Sequence, residues 1–251
     1  MDGSYPEFGS LTLDAAGNLY GTTSQGGEFA GYGTVYKVTA TGTESVLYNF
    51  TGRSDGSQPY GGVARDGAGN LYGTTLHGGT NDYGAVFKLT PVGTETVLHN
   101  FGSSPTDGTY PTSSLTRDSS GNLYGTTEQT TASTGETVFE VTASGTESLL
   151  YSFKGGPVDG KEPYGGGLLR DTSGNLYGVT EYGGANDTSV VFKLTASGTE
   201  SVLLNFNGTA GGRSLVDGLA RDAAGNLYGT ALRMPAARAL VVRVDAACSL
   251  P

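Results

Sequence analysis

The sequence has no tryptophan, one cysteine and two histidines among its 251 residues. The scarcity of cysteine, of long apolar runs and of basic residues excludes several classes of protein. Cys248 has no partner for an internal disulfide, and one cysteine cannot build a Cys/His metal cluster. No apolar run approaches the roughly 20 residues of a membrane-spanning helix. Basic residues are also few, and the formal net charge of −10 argues against binding to nucleic acids or anionic membranes. No cofactor is predicted.

The N-terminal segment MDGSYPEF lacks the basic and apolar regions of a signal peptide. An export signal has therefore been removed from this chain or never existed. Low cysteine and lysine, together with abundant Thr, Ser, Gly and Asn, are typical of an exported bacterial protein. We therefore expect a secreted or cell-surface location.

What the sequence does contain is a repeat of about 50 residues. The phrase GNLYG begins at Gly17, Gly69, Gly121, Gly174 and Gly225. The second copy has four short runs rich in β-branched or aromatic residues and bounded by turn residues. These runs are GGVARD (Gly61–Asp66), NLYGTT (Asn70–Thr75), AVFKLT (Ala85–Thr90) and ETVLHNF (Glu95–Phe101).

Four strands per repeat in five copies predict an all-β fold, a five-bladed β-propeller with four antiparallel strands per blade. One blade buries too little to fold alone, so residues 1–251 are expected to form a single domain. The repeats run over about 1–54, 55–106, 107–158, 159–212 and 213–251.

The fifth repeat ends without a match to ETVLHNF, and the N-terminus begins at DGSYP, where a fourth strand would already have ended. Three explanations stay open: the fifth blade has three strands, upstream sequence was trimmed, or another chain supplies the strand. An exposed sheet edge invites pairing, which predicts self-association through blade five as one outcome.

The recurrent DxxGN looks superficially like part of a calcium loop, but a tight hairpin is the favoured interpretation, because Asp caps turn backbone and Gly supplies positive φ. The pairs Asn81–Asp82 and Asn186–Asp187 could coordinate calcium through their oxygens. Turn chemistry is favoured for them as well, so no metal site is assigned.

The pattern GNLYGTT, a Gly-rich loop, V-F-K-L-T and then V-L-x-N-F resembles the GloVer-type bacterial tandem-repeat family over nearly the whole chain. This resemblance implies export and a propeller. GGVARDGAGNLYGTT is also similar, more generically, to NHL and gluconolactonase-type propeller repeats. No catalytic or metal-ligand pattern of those families can be placed on this sequence residue by residue.

Loops that differ between repeats follow each second strand, and scaffold-borne function tends to lie on such loops. Glu128 and Glu181 occupy matching positions on neighbouring blades, flanked around the ring by His77 and Arg233. Two carboxylates across a cleft can serve glycoside hydrolysis, and His77 can act as a base. These four are the candidate catalytic residues, although polar groups also collect at a rim by chance.

Loop tyrosines are the candidate ligand-binding residues, because their rings can stack on sugars or pack against proteins. They are also suited to wedging neighbouring blades together, which is the favoured interpretation. The candidates are Tyr32, Tyr60, Tyr83, Tyr110, Tyr164 and Tyr182.

Three functions remain open on the sequence. The leading one is a secreted or cell-surface binding module whose variable loop face meets a carbohydrate or another surface component. The second is a glycoside hydrolase or polysaccharide lyase with its site on the same face. The third is a structural spacer. No GxSxG, HExxH or phosphate-loop motif supports an enzyme, but propeller sites assemble from distant segments.

Overall fold

We describe the protein from a computed structural model. It describes residues 2–6, 9–29, 31–130, 135–163, 166–207, 214–215, 218–233 and 238–245, with the backbone alone at 214–215, 231–233 and 238–240. The described chain consists of β-strands and turns. In that part of the chain, no helix is long and apolar enough to cross a membrane.

The strands follow the repeat. The first repeat contains β1 (Gly3–Ser4), β2 (Thr12–Leu13), β3 (Leu19–Thr23), β4 (Gln25–Gly26), β5 (Thr34–Val38) and β6 (Glu44–Asn49). The second contains β7 (Ala64–Arg65), β8 (Leu71–Thr75), β9 (Ala85–Leu89) and β10 (Glu95–Asn100). The third contains β11 (Gly108–Pro111), β12 (Thr116–Arg117), β13 (Leu123–Thr130), β14 (Thr137–Val141) and β15 (Glu147–Ser152). The fourth contains β16 (Gly160–Lys161), β17 (Leu169–Arg170), β18 (Leu176–Thr180), β19 (Tyr182–Gly183), β20 (Val190–Leu194) and β21 (Glu200–Asn205). The fifth contains β22 (Ser214–Leu215), β23 (Ala220–Arg221), β24 (Leu227–Arg233) and β25 (Arg238–Val244).

These strands form a five-bladed β-propeller, as predicted. Blades 1 to 4 each have four antiparallel strands in simple up-and-down order, for example β7-β8-β9-β10 in blade 2. Among its described residues, blade 5 has three such strands, β23-β24-β25. The predicted spans hold for the second to fourth strands of blade 2, but the first is two residues long instead of six.

A short additional ladder, which the repeat analysis did not predict, precedes the first strand of each blade. The DG-x-x-P segment pairs with the residues just after the second strand, as β1 with β4 and β16 with β19. In blade 2 the same contact is a single bridge between Ser57 and His77. This ladder extends each blade beyond its up-and-down strands and sets where the variable loop begins.

The DxxGN segments are hairpin turns, which confirms the favoured interpretation. In blade 2 one carboxylate oxygen of Asp66 accepts hydrogen bonds from the backbone N–H groups of Ala68 (3.0 Å) and Asn70 (2.8 Å). The other accepts from Asn70 Nδ2 (2.8 Å) and Tyr72 Oη (3.0 Å). The tyrosine of GNLYG therefore stabilises the preceding turn by a hydrogen bond to its aspartate.

Buried apolar cores fill four junctions between consecutive blades. At the junction of blades 2 and 3, Phe101 from the end of strand 4 packs edge-to-face on Phe139 of the next blade's strand 3, with ring centroids 5.1 Å apart. Both rings are fully buried. The junctions of blades 1–2 and 3–4 repeat the pair as Phe50–Phe87 and Phe153–Phe192. Blades 4–5 are joined by a core around Phe206 and Leu227.

Polar contacts cross the same junctions. The Arg117 guanidinium lies 5.6 Å from the centroid of the Tyr72 ring on the preceding blade, a cation–π arrangement. Arg65, Arg170 and Arg221 contact Tyr20, Tyr124 and Tyr177 in the same way.

A carboxylate pair also lies at three junctions. The buried Asp55 of blade 2 accepts a hydrogen bond from Tyr48 Oη on blade 1 (3.1 Å). Burial and the charge of Asp55 raise the pKa of Glu95, which begins strand 4 of blade 2, to about 7. Its buried Oε1 has no hydrogen-bond partner among the described residues. Glu147 beside Asp107, and Glu200 beside Asp159, repeat the arrangement, each with a pKa of about 7.

His99 has a specific role at such a junction. It takes the position of Tyr48, and its Nε2 lies 3.2 Å from the buried Asp107 carboxylate. Ser103 also donates to this carboxylate from its backbone N–H and its hydroxyl, both at 2.8 Å. The pKa of Asp107 is lowered, because these hydrogen bonds outweigh the effect of burial.

Replacing Asp66 with alanine tests the turn. We expect the free energy of unfolding to fall by about 2 kcal/mol, because four donors lose their acceptor. The matched control is Gly67→Ala in the same turn, where an added Cβ would meet no atom within 4 Å; we expect a change under about 0.5 kcal/mol. Urea unfolding measures both, and equal effects would contradict the assignment of the turn's stability to Asp66.

The raised pKa values of Glu95, Glu147 and Glu200 make stability depend on pH. Their ordinary value is 4.5 and the folded value is about 7, so the folded state holds protons more tightly than the unfolded state. Their contribution is therefore complete below pH 4.5 and is lost as pH rises through 7. We expect the melting temperature to fall between pH 5.5 and pH 8.

The variant with all three residues changed to glutamine removes this titration while keeping the side-chain shape. Its melting temperature should change much less over the same interval, and at pH 8 it should exceed that of the unaltered chain. Parallel pH profiles for the two proteins would show that these carboxyls are not the source of the dependence. Differential scanning calorimetry provides the measurement.

Candidate functional site

A crevice of about 290 Å³ lies where the variable loops of blades 3 and 4 meet. We call it the Glu128 crevice. It is lined by Glu128, Gln129, Glu136, Glu162, Pro163 and Glu181. Glu128 and Gln129 belong to the extended end of β13, and Glu181 directly follows β18. The ladder between the DG-x-x-P segment and the second strand therefore brings these side chains to one rim.

Glu162 enters the crevice from a backbone position that is strained for a non-glycine residue. Its φ is 57°, and the corresponding residues Tyr5, Gln58 and Tyr110 have φ of 58°, 54° and 58°. Left-handed conformations at non-glycine residues are uncommon and often occur at binding sites. The Glu162 carbonyl accepts a hydrogen bond from the Glu181 N–H at 2.8 Å, so the strained residue is tied to the loop that carries the second carboxylate.

The electrostatics of the crevice are dominated by like charges. Glu128 is half-buried, and burial together with the charges of Glu162 and Glu136 raises its pKa. The Lys161 ammonium supplies the opposite charge at the edge, 3.6 Å from Glu162 Oε1. The same ammonium lies 5.6 Å from the centroid of the Tyr182 ring, and Tyr182 is 39% exposed. The site thus combines carboxylates, one amide and an accessible aromatic ring.

Of the four candidate catalytic residues, Glu128 and Glu181 both line the Glu128 crevice, and His77 is not among its lining residues. The His77 ring packs edge-to-face on Tyr110 with centroids 5.4 Å apart, at the junction of blades 2 and 3. The side chain of Arg233 lies outside the described residues; its backbone pairs with Arg238. A catalytic role stays a prediction for each of them.

The candidate tyrosines divide into different environments. Tyr83 packs edge-to-face on Tyr110, with centroids 5.5 Å apart. The rings of Tyr32 and Tyr83 lie so close to Gly52 and Gly102 that a Cβ there would meet them at 2.4 and 2.2 Å. Only the Tyr83–Tyr110 contact crosses between blades, so it suits the wedging interpretation for Tyr83, whereas the contacts with Gly52 and Gly102 lie within single repeats.

The other tyrosines differ. Tyr182 lies beside the Glu128 crevice through Lys161 and Glu181. Tyr60 is half-buried and engaged in contacts of its own, and Tyr164 lies outside the described residues. Ligand binding therefore stays a prediction for all six.

Sequence reasoning missed Glu136 and Glu162 as members of the site. A signal for Glu162 was available, because DGKEP at residues 159–163 matches DGSYP at 2–6 and DGTYP at 107–111. Recognising this match aligns Glu162 with the rim position of Tyr110. Glu136 gives no such signal, since the residues at its position in the other blades are Gly33, Gly84 and Ser189, none of them charged.

The side chains of the Asn-Asp pairs form hydrogen bonds with backbone groups of their own repeats. Asn81 Nδ2 donates to the Phe101 carbonyl (3.0 Å) and Asn186 Nδ2 to the Phe206 carbonyl (2.9 Å). Asp82 accepts from the Gly78 N–H at 2.9 Å. The described residues contain no group of three or more His, Cys, Asp or Glu side chains placed to hold a metal ion. Calcium binding stays a prediction that these contacts do not test.

A family model described as the Gloeobacter/Verrucomicrobia repeat matches residues 6–238. The chain belongs to this repeat family. The match extends across all five blades, which confirms the resemblance seen in GNLYGTT and V-L-x-N-F. No match was found among curated proteins.

Solved structures similar to this repeat protein are propellers of low sequence identity. A putative gluconolactonase is 16% identical with a TM-score of 0.52, over 86% of this chain and 71% of that one. A protein of unknown function from Dyadobacter fermentans is 12% identical with a TM-score of 0.58, over 98% of this chain and 80% of that one. At such identities the likeness shows the fold alone.

The charge coupling within the crevice can be measured directly. We expect Glu162→Gln to lower the pKa of Glu128, because one of the charges that raise it is removed. The matched control is Glu28→Gln on blade 1, which should leave Glu128 unchanged. NMR titration of the carboxyl carbons follows the pKa. An unchanged value in Glu162→Gln would show that the two side chains do not share a site.

Proposed function

We propose that the protein is a secreted or cell-surface binding module that holds a carbohydrate in the Glu128 crevice. One observation carries this proposal. Carboxylates from two neighbouring blades and one amide line the same crevice, beside the exposed ring of Tyr182. Carboxylates and amides accept hydrogen bonds from sugar hydroxyls, and an accessible aromatic ring supplies an apolar stacking surface.

The charge of the crevice selects among carbohydrates. Four glutamates line it, and the whole chain carries a net charge of −10. Polymers rich in carboxylate or sulfate groups would bring further negative charge into the same space, which is unfavourable. The proposed ligand is therefore a neutral saccharide or one that carries free amines.

Hydrolysis of a glycosidic bond is the second candidate. Its support is that Glu128 and Glu181 line one crevice and that the pKa of Glu128 is raised. A carboxyl with a raised pKa keeps its proton nearer neutral pH and can donate it to a leaving oxygen, while a second carboxylate acts as nucleophile or base. His77 has no part in this version, because it lies at another junction.

A glycan panel with neutral, amine-bearing and anionic polysaccharides tests the binding proposal. We expect retention of at least one neutral or amine-bearing polymer, weakened about tenfold or more in Tyr182→Ala, because the stacking surface is lost. Tyr32→Ala is the matched control, since Tyr32 is equally exposed at 39% but lies on blade 1. Affinity electrophoresis and calorimetry provide the measurements.

Three outcomes separate the candidates. Equal loss of binding in Tyr182→Ala and Tyr32→Ala would place the ligand elsewhere and contradict the proposal. Retention limited to anionic polymers would also contradict it. Release of new reducing ends that disappears in Glu128→Gln, with the melting temperature unchanged, would favour the hydrolase.

A further inference from the structure

The junction between blade 5 and blade 1 differs from the other four, and we call it the open junction. Val241 on strand 3 of blade 5 is 69% exposed, whereas Val35, Val86, Val138 and Val191, at the same repeat position, are 0 to 1% exposed. On the opposite side Leu11 of blade 1 is 52% exposed, although its counterparts Val63, Leu115 and Leu168 are 3 to 7% exposed. Two apolar faces that other blades cover are uncovered here.

The covered junctions show what such faces require. In each of them strand 4 of the preceding blade delivers a phenylalanine, and that ring is 0 to 3% exposed at Phe50, Phe101, Phe153 and Phe206. Strand 4 comes from the segment V-L-x-N-F, which reads L-L-Y-S-F in blade 3. Among the described residues, β25 pairs with β24 alone. No described residue therefore supplies the aromatic ring at the open junction.

A groove occupies the corresponding place in blade 5. Its volume is about 350 Å³, and it lies between Leu204–Asn207 of blade 4's last strand and Val241–Arg243 of β25. In blade 3 the hairpin that leads into strand 4 lies against strand 4 of the preceding blade, since the Gly145 Cβ position lies 2.5 Å from the Leu98 carbonyl. Tyr48 and Glu95, on strand 4 of blades 1 and 2, also interact electrostatically. The groove thus has the neighbours that a fourth strand of blade 5 would have.

Blade 1 does not carry the residue that would complete a direct contact with blade 5. Arg65, Arg117, Arg170 and Arg221 each lie against a tyrosine of the preceding blade. The corresponding residue of blade 1 is Leu13, which is 65% exposed, so it offers no cation to the ring of Tyr228. Closure of blade 5 directly onto blade 1 would lack this contact.

We propose that the open junction binds an added β-strand of the V-L-x-N-F type. The strand would pair with the edge of β25 that no described residue pairs with, as in other cases of strand addition, and place its phenylalanine between Val241 and blade 1. A second copy of this chain is not the proposed donor, because its four strands of this type, three reading V-L-x-N-F and one L-L-Y-S-F, are already paired within their own blades.

A labelled peptide with the sequence of residues 44–52, ESVLYNFTG, tests the proposal against the whole protein. We expect saturable binding by fluorescence anisotropy and a higher melting temperature at saturation, because a ligand of the folded state stabilises it. A peptide with serine in place of its valine and phenylalanine should bind at least about tenfold more weakly, since both apolar anchors are removed.

Protein variants locate the binding site. Val241→Glu should weaken binding about tenfold or more, because it places a charge against the apolar side of the strand. Val92→Glu is the matched control, since Val92 is 87% exposed in the hairpin between strands 3 and 4 of blade 2. Leu11→Glu offers a second variant on the opposite side of the junction. Circular dichroism confirms the fold of each.

The opposing outcomes are equally definite. Absence of peptide binding, or equal binding by Val241→Glu and Val92→Glu, overturns the proposal. A concentration-dependent dimer in sedimentation that Val241→Glu dissociates also overturns it, because the junction would then be covered by a second copy.

Discussion

The packing of one blade's strand-4 phenylalanine on the next blade's strand 3 is the interaction on which this fold depends. A single blade has two apolar faces and covers neither of them itself. Phe101 becomes buried only because blade 3 presents Phe139, and blade 3 in turn relies on blade 4 to cover Phe153. Stability is therefore a property of consecutive pairs of blades, as in other repeat proteins.

The number of blades and most strands could be predicted because the repeat carries its own local chemistry. Asp66 and Asn70 belong to one turn and lie four residues apart, so their pattern is visible in a single repeat. The ladder of the DG-x-x-P segment could not be predicted this way. It depends on a pairing between Gly160 and Gly183 that neither segment's composition indicates.

Part of the candidate site was predictable because equivalent residues of the repeats take equivalent positions. Glu128 and Glu181 follow equivalent strands, so their register indicated that they share a rim. His77 follows an equivalent strand too, yet it lies at a different junction, where Tyr110 contacts its ring. The register of the repeat predicts which residues lie at the rim. It does not predict which junction a side chain faces, because that depends on neighbours from the next blade. Glu136 was not predicted, because its counterparts Gly33, Gly84 and Ser189 carry no charge that would mark the position.

At the left-handed positions Tyr5, Gln58, Tyr110 and Glu162, the backbone conformation does not depend on the identity of the side chain. At Gln58 the N–H donates to the Tyr32 carbonyl of the preceding blade, and the carbonyl accepts from Leu76 of its own blade. The main chain is thus held from both sides, whichever side chain stands there. In this chain the position holds tyrosine twice, glutamine once and glutamate once. The side chain at this rim position can therefore change from blade to blade without a change in the backbone. Each blade can present different chemistry to a ligand on the same scaffold.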